Sequence, residues 1–226
     1  MSQGKLILIP TPIGNLGDVS DRVRETLNGV DKILAEDTRN AGKLLQLLGI
    51  SKPLIAYHSH NEHFKTEQVV EHLLNGETLG LISDAGTPGI SDPGYLLVAA
   101  CNEAGIKVEV LPGPVAFIPA LVASGLPCNS FYFNGFLPHK KGRVKRLEYL
   151  SQLDCTLVFY ESPHRIVKSL KQMLEILGDR RAGVSREITK KFEEHLQGSL
   201  SELATHFEKN PPKGEFVICV GAADLD

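Results

Sequence analysis

Short apolar runs of strand length alternate with longer amphipathic stretches through the first half of the chain. The runs are Lys5–Ile9, Ile33–Ala35, Pro53–Tyr57, Thr78–Ser83 and Ile106–Leu111. Between them, apolar residues recur at helical spacing. Val23, Leu27 and Val30 follow Ser20, a helix-capping residue. Leu44, Leu47 and Leu48 run up to Gly49, which closes a helix as its C-terminal cap. Asn61 opens a helix carrying Phe64, Val69, Val70, Leu73 and Leu74, and Tyr95–Ala104 is the next. Strands this uniformly apolar need cover on both faces. The alternation therefore predicts an α/β domain with a mainly parallel sheet.

From Val110 to Pro138 there is no Lys, Arg, Asp or Glu, and Pro112, Pro114, Pro119 and Pro127 interrupt the stretch. A membrane helix would not carry so many prolines. The segment is expected to be covered on most sides, at the crossing between two domains, with a short buried helix at Val115–Ser124 and a strand at Phe131–Asn134. Beyond it the alternation resumes. Helices are expected at Arg143–Ser151, at Pro163–Leu177 and from Ser201. Strands are expected at Thr156–Tyr160, Ala182–Arg186, Glu194–Gln197 and Glu215–Val220. The best partition is two α/β domains, residues 1–113 and 114–226, without an internal repeat or a low-complexity tract.

Composition narrows the class only a little. The 226 residues hold 24 basic and 27 acidic side chains, a formal net charge of -3, with 42% hydrophobic and 23% charged residues. That excludes a disordered tail, a collagenous repeat and a disulfide-stapled mini-protein. Cys101, Cys128, Cys155 and Cys219 lie far apart and form no CxxC, which fits reduced thiols in the cytoplasm. No run of 18 apolar residues is present, so no membrane span is expected, and the short apolar run after Lys5 does not make a signal peptide. The net charge rules out a uniformly basic coat for nucleic acid, but not a local patch.

Candidate chemistry gathers where strands end, because ligands of open α/β sheets bind beyond the carboxyl ends of the strands. The first strand runs into Pro10-Thr11-Pro12-Ile13-Gly14-Asn15-Leu16-Gly17-Asp18. This is neither GxGxxG nor a Walker A sequence, which excludes a P-loop nucleotidase; alone it fits a tight turn as well as a site. The second strand ends in Glu36-Asp37-Thr38-Arg39, which reads either as a helix cap with a first-turn charge or as a reactive cluster. The fourth ends in Asp84-Ala85-Gly86-Thr87-Pro88-Gly89-Ile90-Ser91-Asp92-Pro93-Gly94. Asp84 and Asp92 are able to cap their own turns there, but so dense a loop at a sheet edge favours a ligand. His58, His60 and His63 raise zinc, yet a helix starting at Asn61 turns them apart and no cysteine is near, so no metal is expected.

One charge run stands out. Lys140, Lys141, Arg143, Lys145 and Arg146 place five positive charges in eight residues, and without them the rest of the chain carries -8 instead of -3. Such runs are usually the solvated face of a helix. This one follows the aromatics Phe131, Tyr132, Phe133 and Phe136, and a mobile basic loop beside a pocket suits the phosphates of a polyanion. Phe159-Tyr160-Glu161-Ser162-Pro163-His164-Arg165 adds a carboxylate and two cation donors at another strand end.

The strings TPIGNLGD, EDTR, YHSHNE, SDAGTPGISDPG, LPGP, GFLP, FYESPHR, REITKKFEE and KGEFVI occur in this order over nearly the whole chain. With them the sequence closely resembles the ribosomal RNA small-subunit methyltransferase I family, a branch of the tetrapyrrole-methylase superfamily. The resemblance implies two α/β domains of the tetrapyrrole-methylase type, with S-adenosylmethionine in the inter-domain cleft. It implies methylation of the ribose 2'-hydroxyl of a cytidine in the decoding region of small-subunit (16S) ribosomal RNA, and a homodimer. By this resemblance Pro12, Asp84, Ala85, Gly86, Ala116, Phe117 and Phe136 contact the cofactor. Many members run on past the KGEFVI strand into a small C-terminal appendage that this sequence, ending at Asp226, does not show.

Methyl transfer from a sulfonium is a direct displacement, so positioning dominates and no metal is needed. A ribose hydroxyl also needs a base or a neighbouring positive charge. Glu36, Arg39, Glu161 and Lys190 are the catalytic candidates by residue type and loop position, with either Glu36 or Glu161 orienting the hydroxyl. Lys140, Lys141, Arg143, Lys145, Arg146 and Arg165 are the RNA-binding candidates. The expected substrate is an assembled small subunit. Competing readings are a porphyrin or corrin-precursor methylase on the same fold, a non-catalytic RNA-binding module of ribosome assembly, and a metallohydrolase using the histidines with Asp84.

Overall fold

A computed structural model of the chain describes residues 4–210 and 213–223. It divides into two compact units, Met1–Val115 and Ala116–Asp226.

The first unit is a five-stranded sheet in the order β3-β2-β4-β1-β5, and every pairing in it is parallel. The strands are β1 (Lys5–Leu8), β2 (Lys32–Ala35), β3 (Leu54–Ala56), β4 (Leu79–Ile82) and β5 (Lys107–Val110). The helices are α1 (Asp21–Gly29), α2 (Thr38–Leu47), α3 (Glu62–Leu74) and α4 (Tyr95–Glu103). Alternate strand residues serve opposite faces. Ile7, Ile9, Ile33, Ala35 and Ile82 pack with Val23, Leu27, Ala41 and Leu45 of α1 and α2. Leu6, Leu8, Leu34, Leu79 and Leu81 pack with Val69, Leu73, Leu97 and Cys101 of α3 and α4. Both faces are covered, which is why these strands read as unbroken apolar runs. Ser20 caps α1 by accepting a hydrogen bond from Val23 N, and Gly49 takes φ +71° to end α2, as their residue types predict.

The second unit is also a five-stranded sheet, in the order β6-β7-β10-β8-β9. Its strands are β6 (Phe131–Phe136), β7 (Thr156–Glu161), β8 (Arg181–Arg186), β9 (Glu194–Ser199) and β10 (Phe216–Val220). Only β6 and β7 are parallel neighbours; β10 runs antiparallel to both β7 and β8, and β8 and β9 form a hairpin. The mainly parallel arrangement expected of the first half is found there, and the second sheet is mixed. The carboxyl ends of β6, β7 and β8 nevertheless share one edge of the sheet. On one face lie α6 (Arg143–Ser151), α7 (Ile166–Leu177) and α8 (Leu200–Lys209), around Leu157, Phe159, Val184 and Ile218. The short α5 (Phe117–Ala123) packs toward β7, β8 and β10.

Several expected boundaries shift for local reasons. Strand β6 continues past Asn134 because a bulge at Phe133/Gly135, with Gly135 at φ +66°, resets its register. Helix α8 starts at Leu200, because Ser199 and Glu202 form a capping box. Helix α7 starts at Ile166, after a turn in which Arg165 N and Ile166 N both donate to Ser162 O. The charge-free segment is less covered than expected. Phe117, Ala120 and Leu121 are buried, but Val122 is 65% exposed and Ile118, Phe131 and Phe136 are exposed too.

Candidate functional site

The candidate residues fall into two groups, one on each unit. In the first unit, β1 leads through α1 to β2, and β4 leads through α4, on the opposite face, to β5. The crevice of an open sheet lies where such connections diverge, here between the carboxyl ends of β1 and β4. The chain laces that point together. Thr11 N donates to Gly86 O at 2.9 Å and Gly86 N donates to Thr11 O at 3.1 Å. The buried Thr11 hydroxyl donates to Ser83 O at 3.1 Å, and the Thr87 hydroxyl donates to Pro114 O at 3.0 Å. Three loops, after β1, β4 and β5, thus form one cradle. Gly86 sits in it at φ +87°, where a Cβ would lie 3.3 Å from both Ile13 Cγ2 and Pro114 O. Pro12 is half-buried at its wall, and Asp84 and Ala85 are exposed at its lip.

Carboxylates converge beside this cradle. Asp84 accepts from Asp37 N at 3.2 Å and from Asn40 Nδ2 at 3.0 Å, tying the β4 loop to the start of α2. Burial raises the Glu36 carboxyl above its usual range, and Asp84 adds to the effect. Burial, reinforced by Glu36, pushes Asp92 up to about 6, with Ser83 pulling the other way. The site therefore holds two acids whose carboxyls are pushed above their ordinary range, Glu36 and Asp92, the chemistry that base catalysis uses. Asp37 is different: the Arg39 guanidinium holds it well below the carboxylate range. Arg39 is 85% exposed and directs Nε and Nη2 at Asp37, 3.0 and 2.6 Å away, so the pair serves the start of α2. Sequence reasoning missed Asn40 and gave Asp92 no role of its own, although it favoured a ligand for the loop that carries it. Asn40 stands three residues after Asp37, the spacing that brings it to the same helix end.

The Asp92 arrangement has a pH signature. An acid whose folded pKa lies near 6, above an unfolded value of about 4, makes the folded state bind more protons between those pH values. Stability therefore falls as pH rises from about 4 to 6. Asp92→Asn is expected to stabilise the chain at pH 8 by about 1–2 kcal/mol, after allowing for solvent screening of a half-buried group. The gain should vanish at pH 4. Thermal melting at both pH values checks this, and equal or lower stability of the variant at pH 8 contradicts it.

In the second unit the structure corrects two expectations. Arg143 is not offered to RNA. Its side chain is 5% exposed, with Nε donating to Gln172 Oε1 at 2.6 Å, Nη2 to Ser169 Oγ at 2.5 Å and Nη1 to Pro138 O at 3.2 Å. It shares one face of α6 with Leu147 and Leu150, which places it in the core. Glu161 is not open to a substrate either. It shares the parity of Leu157 and Phe159, toward α7, whereas Val158 and Tyr160 point to the other face. Its carboxylate, 1% exposed, accepts from Ser169 Oγ at 2.5 Å and Ser162 N at 2.9 Å and pairs with Arg165 Nε at 3.1 Å. Glu161 therefore positions Arg165, which also donates to Leu137 O at 2.6 Å and lies 3.4 Å from both ring nitrogens of His139. For Lys190 the surroundings leave only the part of a positive charge. Burial acts against its charge, but hydrogen bonds to Glu215 and Glu187 win and raise its pKa, so it stays protonated.

The remaining candidates are placed as follows. Lys140, Lys141 and Lys145 are exposed, whereas Arg146 is half-buried, donating to Asn134 Oδ1 at 2.7 Å and Tyr132 OH at 2.6 Å. Ala116 opens α5, and the Phe117 ring stacks on Phe133 with centroids 4.1 Å apart. Phe136 is exposed, its centroid 5.7 Å from that of Tyr160. The His58 and His60 rings meet edge to face at 6.0 Å, and no group of three metal-ligating side chains converges among the described residues.

Residues 5–204 match the model of the tetrapyrrole (corrin/porphyrin) methylases, and the chain belongs to that family. Within it, the sequence is 51% identical to the ribosomal RNA small subunit methyltransferase I of Xylella fastidiosa, over 99% of this chain and 84% of that relative. The relative of the same name in Thermotoga maritima is 43% identical, over 98% of this chain and 100% of its own length. Among solved structures, diphthine synthase superposes with a TM-score of 0.76 at 14% identity, covering 99% of this chain and 92% of its own. Uroporphyrin-III C-methyltransferase from Thermus thermophilus, complexed with S-adenyl homocysteine, superposes with a TM-score of 0.66 at 19% identity, covering 97% and 98%. These two likenesses establish the fold.

Proposed function

We propose that this chain transfers a methyl group from S-adenosylmethionine to the ribose 2'-hydroxyl of a cytidine in the decoding region of small-subunit rRNA. The observation that carries this reading is the near full-length similarity, at about half the residues, to relatives named for small-subunit rRNA methylation. The same similarity disfavours a porphyrin or corrin-precursor substrate, since the tetrapyrrole methyltransferases are alike only at the level of fold.

The first unit fits the cofactor chemically. Glu36, Asp84 and Asp92 supply negative charge for a cationic group, Gly86 leaves no side chain in the way, and exposed Leu16 and Ile90 offer apolar surface. S-adenosylmethionine, when bound, supplies a methyl group activated on a sulfonium. In this proposal Pro12, Asp84, Ala85 and Gly86 of the first unit and Ala116, Phe117 and Phe136 of the second contact it. Glu36 orients the hydroxyl and accepts its proton, favoured by a pKa raised toward neutrality. Arg165, held by buried Glu161, and the exposed Lys140, Lys141 and Lys145 take the phosphates. The enzyme works in the cytoplasm, as a homodimer, on an assembled small subunit.

Small subunits lacking the methyl group are the substrate for the test, with labelled S-adenosylmethionine as donor. Replacing Lys140, Lys141 and Lys145 together with alanine is expected to raise KM for subunits at least tenfold, with cofactor affinity unchanged, and to flatten the dependence of binding on salt. Glu36→Gln is expected to lower kcat by about 10²-fold or more. If both variants match the parent protein, the assignments of base and phosphate contacts are wrong.

A further inference from the structure

We infer that Phe192, at the tip of the β8–β9 hairpin, is a base-stacking residue for the RNA substrate, with Lys191 beside it on the backbone. The inference rests on the rRNA reading above and adds to it a contact outside the candidate residues already placed. The hairpin closes at Arg186 and Glu194, leaving residues 187–193 as the loop. Strand β8 runs in the same direction as β6 and β7, so this loop stands on the sheet edge that also carries Arg165 and the start of the basic segment.

A lone exposed phenylalanine on a slack loop would need no explanation. This loop is neither slack nor relaxed. Glu187 and Thr189 have φ +48° and +66°, two of the three non-glycine residues with positive φ among the described residues. Strain of this kind persists only where surrounding contacts impose it, and it concentrates at functional sites. The contacts are present. Glu187 Oε1 accepts from Lys190 Nζ and from Glu215 N, each at 3.0 Å, and Lys190 Nζ also donates to Glu215 Oε2 at 2.7 Å. Glu193 accepts from Thr189 N at 2.6 Å and meets His195, whose other ring nitrogen is 2.8 Å from Ser185 Oγ. Ile188 is buried beneath the loop, and Gly214 comes so close that a Cβ there would lie 2.5 Å from Glu187 Cγ.

All this bracing holds one large apolar ring out in water. Phe192 is 65% exposed, and the Lys191 ammonium sits 5.6 Å from its centroid. An exposed aromatic ring with a cation over one face suits an unpaired nucleobase on the other and its phosphate beside them, since stacking accepts any base and the lysine meets the backbone. A stacking finger on the edge that carries Arg165 would hold an unpaired base of the substrate while the cations beside it meet the phosphates.

The chain contains no tryptophan, so Phe192→Trp installs a single reporter at this tip. Its emission is expected to be quenched, saturably, by a single-stranded cytidine-rich oligoribonucleotide, whereas Phe64→Trp on α3 stays bright. This arm does not depend on methyl transfer. Against unmethylated small subunits, Phe192→Ala is expected to raise KM at least about fivefold, Phe192→Trp to retain the parental value, and Phe192→Leu to behave like alanine. Affinity for S-adenosylmethionine and the melting temperature should not move. An unquenched reporter, equal quenching at both positions, a parental KM for Phe192→Ala or Phe192→Leu, or a changed sedimentation coefficient overturns the inference; the last would make the ring a protein contact. If the parent protein methylates no RNA at all, the functional reading fails first, and the quenching still reports separately on stacking.

Discussion

A Gly86→Val variant is expected to bind S-adenosylmethionine on the order of a hundredfold more weakly than the parent protein. Three features of one residue combine to give this. Its φ of +87° is strained for any L side chain, by about 1–2 kcal/mol. A Cβ would press at 3.3 Å on a backbone oxygen, Pro114 O, which is less able to yield than the end of a flexible side chain. The residue also carries both backbone–backbone hydrogen bonds that join the β1 and β4 loops through Thr11. A shift there moves two walls of the cradle together, and displacements of about 1 Å at such sites cost about 10²-fold. Gly89→Ala in the same loop is the control. Its φ of +86° is equally strained, but nothing lies within 4 Å of its Cβ, so its affinity should fall far less. Calorimetric titration separates the two. Affinities within twofold of the parent for Gly86→Val contradict the placement of the cofactor.

The second large effect falls on stability. Arg143→Ala is expected to lower it by about 3 kcal/mol, because it takes one of two guanidinium partners from the buried Glu161 carboxylate and leaves Gln172 and Ser169 without their donor. Nη2 of Arg143 lies 3.6 Å from Glu161 Oε2 and reaches it also through the Ser169 hydroxyl, all beneath α7. For a chain of this size the melting temperature should drop by about 10 °C. Arg143→Lys keeps the charge but loses the fork that serves Gln172, Ser169 and Pro138 at once, so it should recover only part of the loss. Lys140→Ala and Lys145→Ala, at exposed positions, should leave melting unchanged. A melting loss below about 2 °C for Arg143→Ala would return that residue to the RNA-binding surface.

The two cases show where a linear reading of the chain works and where it stops. Positions of strands and helices in the first unit follow from apolar runs, because each parallel strand is covered on both faces and tells the same story on either side. The loops at the carboxyl ends of β1, β2 and β4 were legible for the same reason: glycine, proline and acid densities do not depend on partners far away. The charge run at 139–146 misled because counting charges ignores helix phase. Arg143, Leu147 and Leu150 stand at i, i+4 and i+7, a spacing that already assigns the arginine to the buried stripe. Glu161 could have been read by parity with Leu157 and Phe159 in the same way. Other features had no local signal. That β10 inserts antiparallel between β7 and β8, and that Glu187, Lys190 and Glu215 close on one another, are products of pairing between distant segments.

In the proposed mechanism chemical work rests on the acids beside the cradle, and the arginine proposed to take a phosphate is held by buried Glu161. The most direct measurement is the position of the transferred methyl group. Unmethylated small subunits are incubated with the protein and labelled S-adenosylmethionine, and the RNA is digested to nucleosides and separated. A single labelled product, 2'-O-methylcytidine from the decoding region, is the expected result. Label on a nucleobase, on a different nucleoside, or on no RNA contradicts it.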